Sequence, residues 1–397
     1  MMTRKSQLPQ PTTLQKKIFA YRFQYISTTL CWKIHNRFSN RFNNRPDKNM
    51  PDKKGENSTM MRAVRCQPVT SVPIWLMRQA GRYMPEYQHI REKVSFLELC
   101  KRPDLAAEVM LTAVQRLNVD AAILFSDILL ILEPMGFQLE FTPDGGPQIS
   151  NPIQQPNDVD RVQELATVEP INFVMDAVRY TREGLDDSKP LIGFAGAPFT
   201  LAAYAVEGGN SRNFQRVKAF MYLYPEKWHD LMRCIAVSTA RYLNGQINAG
   251  VQIVQIFDSW VGCVSEEDYK KYVHPYSKML IDLIQPGTPI IHFAPGNPML
   301  LQNVRDAGGH VIGIDWRIGV DKAWDMIGRD RAIQGNLDPA ILLTDRETIR
   351  SHAQHIIRLT DRQPGFIFNL GHGITPQTPV ENVIALVEIV HELGQMR

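Results

Sequence analysis

DAAILFSDIL, at residues 120–129, holds a short apolar run from Ala121 to Phe125 that stops at Ser126 and Asp127. The run is too short for a helix. Its successive positions are apolar, so both faces call for burial, as in a parallel strand with cover on each side. Seven further runs of this kind occur, at 73–78 (Pro73 to Arg78), 191–196, 252–258, 289–294, 311–316, 332–337 and 365–371. Helical patterns separate them. From Pro103, the residues Leu105, Val109, Ala113 and Leu117 recur every four positions and form one apolar stripe. Thr378-Pro-Val-Glu381 reads as a capping box with proline at the first helical position, leading into the stripe Val380, Val383, Val387, Val390. Ser265-Glu-Glu-Asp268 opens another helix.

Eight strand-then-helix units predict an α/β fold, a single (β/α)8 TIM-type barrel. A doubly wound open sheet is the alternative, and the count of eight favours the barrel. Almost every run ends in charged, polar or glycine-rich residues. Barrel enzymes assemble their sites at the C-terminal ends of strands, so one site built from many loops is expected.

The bulk properties narrow the function. Residues 1–60 carry 12 Lys+Arg against 3 Asp+Glu, a net +9, while the other 337 carry 32 against 38, a net −6. The division expected is therefore a basic N-terminal extension at 1–60 outside the core and a catalytic barrel at 61–397. The extension reads as an over-extended reading frame, with initiation at Met50, Met60 or Met61, as an organelle transit peptide, or as an idle tail. The acidic body offers no nucleic-acid surface, and no apolar stretch is long enough to span a membrane. Cys31, Cys66, Cys100, Cys234 and Cys263 are scattered and odd in number. They read as reduced thiols in a cytoplasmic compartment and give no structural zinc site.

The polar strand ends hold the candidate chemistry. Arg78 directly follows the first run, beside Gly81, with Arg82, Tyr87 and Arg91 close behind. Guanidinium groups gathered at one strand mouth suit carboxylates, whose two oxygens match the planar fork of donors. Surface ion pairing is the other fate of arginine. Asp127 sits between apolar residues, where an unpaired carboxylate is costly. It pairs with an arginine, or it receives something cationic or rich in N–H groups. Tyr204 lies on a helix that runs into Gly208-Gly209, and Asp127 is a candidate partner for its hydroxyl. Ser259 ends the fourth run, and His372 stands between two glycines after the eighth. No G-x-S-x-G elbow, Walker A loop or G-x-G-x-x-G occurs.

Seven strings resemble the uroporphyrinogen decarboxylase family, in family order: MRQAGRYMPEY (77–87), DAAILFSDIL (120–129), GFAGAPFTLAAYAVEGG (193–209), QIFDSWVG (255–262), GIDWR (313–317), QGNLDP (334–339) and FNLGHGITP (368–376). The resemblance covers nearly all of 61–397 and none of 1–60. It implies a homodimeric barrel with no metal and no cofactor, acting on uroporphyrinogen III, a flexible tetrapyrrole with eight carboxylates, and converting its four acetates to methyls in heme biosynthesis. It also implies that Asp127 accepts from the pyrrole N–H groups, and that Arg78 and Arg82 meet carboxylates with Arg91 and His372 assisting. Tyr204 and Ser259 would orient Asp127 and an acetate arm. Gln79, Ala80 and Gly81 would form the loop that lets the macrocycle approach. The family suggests Arg78 as the acid, but guanidinium is a reluctant donor, and a carboxylate clamp suits it better. Two rivals stand beside this reading. One is a zinc-dependent corrinoid methyltransferase, whose His-x-Cys is replaced here by His292-Phe293-Ala294. The other is a non-catalytic tetrapyrrole-binding barrel, in which Asp127 would be dispensable.

Overall fold

The computed structural model describes Gly55 and residues 57–142 and 146–395. Its helix Pro103–Leu117 forms where the four-residue stripe places it. Pro103 suits the first turn because it has no N–H to leave unsatisfied, and Asn118 ends the helix in the left-handed region at φ 55°. Val109, Ala113 and Leu117 are buried, with Leu105 packed at the margin.

The strands are β1 (Ala122–Ile123), β2 (Leu139–Thr142), β3 (Gly146–Ile149), β4 (Leu191–Gly196), β5 (Ile253–Phe257), β6 (Ile290–Phe293), β7 (Val311–Gly313), β8 (Ala332–Leu337) and β9 (Phe366–Leu370). Seven of them make one sheet in the order β1-β4-β5-β6-β7-β8-β9, with every pairing parallel. β2 and β3 form a separate antiparallel hairpin inserted after β1. β4, β8 and β9 are buried along their whole length. That matches a parallel sheet wrapped in helices such as Pro198–Glu207, Pro225–Ala249 and Arg346–Leu359.

The run at 73–78 is not a full strand. It makes a single parallel bridge, Ile74 to Phe368. Pro73 has no N–H, the Ile74 N–H goes to the Asp120 side chain at 2.8 Å, and a turn already begins where Gln79 N–H donates to Leu76 O. Little backbone is left for a ladder. The segment still lies between β9 and β1, because Phe368 N–H donates to Pro73 O (2.9 Å) and Asp120 N–H donates to Ile74 O (2.8 Å). Asp120 Oδ2 also accepts from His391 Nε2 at 3.0 Å, tying this seam to the last helix, Val380–Leu393. Inside the barrel, Trp75 Nε1 donates to Gln334 and Gln334 Nε2 donates to Gln255, at 2.9 and 3.1 Å.

The last helix departs from expectation at its start. Pro379 is its N-cap and not its first helical residue, and no side chain caps it. The Thr378 hydroxyl is instead engaged with Thr375, at 3.0 Å. Ser265 does cap its helix, accepting from Asp268 N–H.

Most of the extension at 1–60, with Cys31, lies outside the described residues. The helix Thr59–Val64 straddles the expected boundary at 60/61. Ser58 caps it by accepting from Met61 N–H at 3.2 Å, and Met60 and Met61 are both fully buried. Gly55 N–H donates to Asp187 O. We propose that the folded body begins near residue 55 and that residues 1–50 are dispensable. A chain starting at Pro51 is expected to melt like the full chain. One starting at Met61 loses the cap and a buried methionine, about 3 kcal/mol together, and should melt several degrees lower. Equal melting of the two shortened chains would refute this.

Candidate active site

Arg78 is the residue around which the site is built. It ends the first run in the left-handed region, at φ 63°. A side chain pays about 1 kcal/mol or more for that conformation, so the turn must be held by its surroundings. Gln79 does much of this. Its Oε1 accepts from Leu76 N–H at 3.1 Å, its Nε2 donates to Ala121 O at 3.2 Å, and its carbonyl accepts from the Tyr83 hydroxyl at 2.7 Å. Met77 N–H donates to Asn369 Oδ1, and Ile374 N–H donates to Met77 O, so the turn is bound to β9 and the loop after it.

This turn opens onto a cavity of about 1080 Å³ at the C-terminal ends of the strands. All ten sequence candidates line it: Arg78, Gln79, Ala80, Gly81, Arg82, Arg91, Asp127, Tyr204, Ser259 and His372. They do not all present side chains to it. The Gln79 amide is fully buried and committed to the turn, which leaves its backbone for the cavity.

The walls differ in character. Arg78, Arg82, Arg91 and Lys93 all come from one short segment, and no carboxylate pairs with Arg78, Arg82 or Lys93 among the described residues. Arg91 is braced by the Val94 carbonyl and lies over the Phe96 ring at 5.9 Å. The other walls are aromatic, with Phe194, Phe257, Phe293 and Trp260. Trp260 meets Tyr204 at 5.9 Å and Phe214 at 5.2 Å between ring centroids.

Asp127 stands among these groups. Its Oδ1 accepts from Leu129 N–H at 2.9 Å, an Asx-type bond that fixes the carboxylate just past β1. Burial raises its pKa from the usual 3.8 to about 6, while the Leu129 N–H and the nearby Arg78 charge work against the rise. At neutral pH it is an anion held where anions are costly. Burial also lowers the Arg78 pKa, helped by Arg82 and opposed by Asp127. Tyr204 rises to about 12, through burial first and the Asp127 charge second, so it remains a phenol. Burial and the Arg78 charge lower His372 below the usual 6.5.

Sequence reasoning missed Lys93, Asn210 and the aromatic walls. Alternation within β4 and β5 places Phe194 and Phe257 inward, but a run apolar at every position does not reveal which face is which. It also left the role of Asp258 open. The Trp260 N–H donates to Thr200 Oγ1 at 3.3 Å, and that hydroxyl donates to buried Asp258 at 3.0 Å, so this chain fixes the loop carrying Ser259 and Trp260. His292 faces elsewhere. It is fully buried, its Nδ1 lies 3.4 Å from Gly308 O, and burial lowers its pKa to about 4. Among the described residues no group of three or more His, Cys, Asp or Glu is placed to hold a metal.

A parallel barrel with a largely cationic wall and a half-buried carboxylate around an open cavity at its strand ends has the build of an enzyme that handles a large anionic ligand. The uroporphyrinogen decarboxylase (URO-D) family model matches residues 55–393. Uroporphyrinogen decarboxylase from Carboxydothermus hydrogenoformans is 52% identical over 341 residues, 86% of this chain and 97% of that protein. Those from Sorangium cellulosum and Koribacter versatilis are 48% and 46% identical, over 84% and 85% of this chain and 95% and 96% of theirs. The chain belongs to the uroporphyrinogen decarboxylase family. Among solved structures, a methyltransferase from Methanosarcina mazei superposes with a TM-score of 0.69 at 20% identity, covering 84% of this chain and 97% of that one. A B12-independent methionine synthase from Shewanella gives 0.52 at 12%, over 81% and 96%. At such identities the likeness is one of fold.

Proposed function

We propose that this chain is a uroporphyrinogen decarboxylase that removes the four acetate carboxylates of uroporphyrinogen III and yields coproporphyrinogen III without a cofactor. The observation that carries the reading is one costly carboxylate, Asp127, in a cavity whose other charged wall holds Arg78, Arg82, Arg91 and Lys93, with exposed Glu92 beside them. An acetate on a pyrrole loses CO₂ only if the carbon–carbon bonding pair has somewhere to go. Protonation of the ring carbon next to the one that bears the acetate makes a cation able to accept it. The pair then forms an exocyclic double bond as CO₂ leaves. Protonation of that methylene and loss of the ring-carbon proton restore the pyrrole with a methyl. The net change is one proton taken up and one CO₂ released per acetate. Asp127 beneath the N–H groups stabilises the cation as a preorganised charge. Arg78 and Arg82 clamp carboxylates, Arg91 and His372 assist at the rim, and Tyr204 and Ser259 position the arm being cleaved. A guanidinium is a reluctant proton donor, so the clamp suits Arg78 better than the acid.

Anaerobic incubation with uroporphyrinogen III tests the reading. Coproporphyrinogen III with four CO₂ per substrate is expected, with or without a chelator. Binding without turnover would favour the non-catalytic barrel. Decarboxylation abolished by a chelator and restored by zinc would overturn the metal-free reading, and absence of decarboxylation with zinc-dependent methyl transfer from a corrinoid would favour the methyltransferase. The orientation of buried His292 away from the cavity supports neither zinc site nor corrinoid chemistry there.

We also infer a homodimer acting in the cytoplasm, with organelle import if residues 1–60 serve as a transit peptide. No helix among the described residues is long and apolar enough to cross a membrane. Met299, Trp316 and Leu343 are 66%, 37% and 51% exposed, on three successive loops at the cavity end of the barrel. Large apolar side chains gathered so are typical of a subunit contact. Sedimentation velocity is expected to show a dimer for the native chain and a monomer for Met299→Glu/Trp316→Glu. A dimer unaffected by the pair would move the contact elsewhere.

A further inference from the structure

Gly373 lies on the loop after β9, and its backbone is not in the left-handed region where glycine is favoured. Nothing in its own conformation therefore requires a glycine. What requires it is the Arg78 side chain. A Cβ at Gly373 would come within 2.7 Å of Arg78 Cγ and 2.9 Å of Nε, and closer still to Cδ. Real Cβ atoms do not approach so near. The loop cannot simply back away, because Ile374 N–H donates to Met77 O at 3.0 Å and Met77 N–H donates to Asn369 Oδ1 at 3.1 Å. Two backbones are held in register on either side of the arginine. Arg78 cannot readily back away either, since Gln79 holds its turn from below.

We propose that Gly373 is a positioning residue for Arg78: the missing side chain is the slot in which the arginine stem lies, and it sets how far the guanidinium reaches into the cavity. The neighbouring Gly371 has a different task. A Cβ there would strike backbone, Trp316 N at 2.8 Å and Asp315 Cα at 2.9 Å, so it is needed for packing between loops. At Gly373 the obstacle is a side chain that can move, at the expense of its aim. The inference rests on the functional reading above for what Arg78 does, but its geometry stands apart from that reading.

The test is a double-mutant cycle read by steady-state kinetics and by crystallography. Gly373→Ala is expected to stay folded and to lose about 10–100-fold in kcat/KM, the scale of a misplacement near 1 Å. In an Arg78→Gly background, adding Gly373→Ala should cost nothing further, within about twofold, because the arginine through which it acts is gone. Additive losses, or a single variant within twofold of wild type, would overturn the proposal. If Gly373→Ala alone fails to fold, refolding by Arg78→Gly supports it and failure to refold overturns it. Absence of turnover by the wild-type chain would sink the functional reading instead. The crystal structure of Gly373→Ala then decides the inference by itself: a guanidinium displaced by 1 Å or more, on the scale that matters for catalysis, upholds it, and one left in place overturns it.

Discussion

Asp127→Asn is expected to lose turnover by roughly 10²-fold or more and yet to melt above the wild-type chain. Asparagine keeps the shape and can still accept from Leu129 N–H through its own Oδ1. It removes the charge that would balance the pyrrole cation. The stability change follows from linkage. The folded pKa of about 6 lies above the usual 3.8, so the native state binds this proton more readily than the unfolded chain does. The ionised carboxylate therefore weighs against the fold above about pH 6, and the penalty vanishes below about pH 4. The shift corresponds to about 3 kcal/mol in a dry site, and water entering the cavity reduces it to about 1–2 kcal/mol. Thermal melts at pH 7.5 and pH 4 should show the gain at the higher pH only. Asp127→Glu keeps the charge in a shifted place and should retain some activity. Near-normal turnover by folded Asp127→Asn would remove the electrostatic role, and loss of folding would make Asp127 a structural residue of the turn after β1.

Arg78→Gly is expected to lower kcat/KM by about 10²–10³-fold, the scale of removing a charged group that binds the reacting arm, without lowering stability. Glycine occupies φ 63° freely, whereas arginine is strained there. The same variant has a consequence for pH. The Arg78 charge holds the Asp127 pKa down, so its removal lets that pKa rise further. Wild-type kcat/KM should fall as pH drops through about 6, where Asp127 protonates. In Arg78→Gly that acid limb should move to higher pH. A limb that stays put would mean that another group controls it, and His372, pushed below 6.5, would be the first to examine by His372→Gln.

The site was legible in the sequence because most candidates follow apolar runs closely, and a barrel brings run ends together. That logic put Asp127, Ser259 and His372 at strand ends, and all three line the cavity, while the role of Ser259 came from the family resemblance. It could not separate side chain from backbone, so Gln79 read as a ligand contact while its amide in fact braces the Arg78 turn. Lys93 was hidden because a lysine in a polar helix end resembles any solvated charge. The first run read as a strand because its composition is that of one, and only the hydrogen-bond accounting around Pro73 and Asp120 reveals a single bridge. Thr378 shows the same limit at small scale. Its spacing to Glu381 fits a capping box, but a neighbouring hydroxyl competes for it.

The seam between the first and last strands also sets an order of assembly. The arginine-bearing turn is held by Asn369 and Phe368, nearly three hundred residues further along the chain, and by Asp120 together with His391. Contacts so distant in sequence form late, since a long loop must close before they give any return. A chain emerging from the ribosome can form the local braces of the turn, from Gln79 to Leu76 and Ala121, before β9 exists. A product truncated before β9 would keep those braces and lose the Asn369 and Phe368 bonds that tie the turn to the last strand.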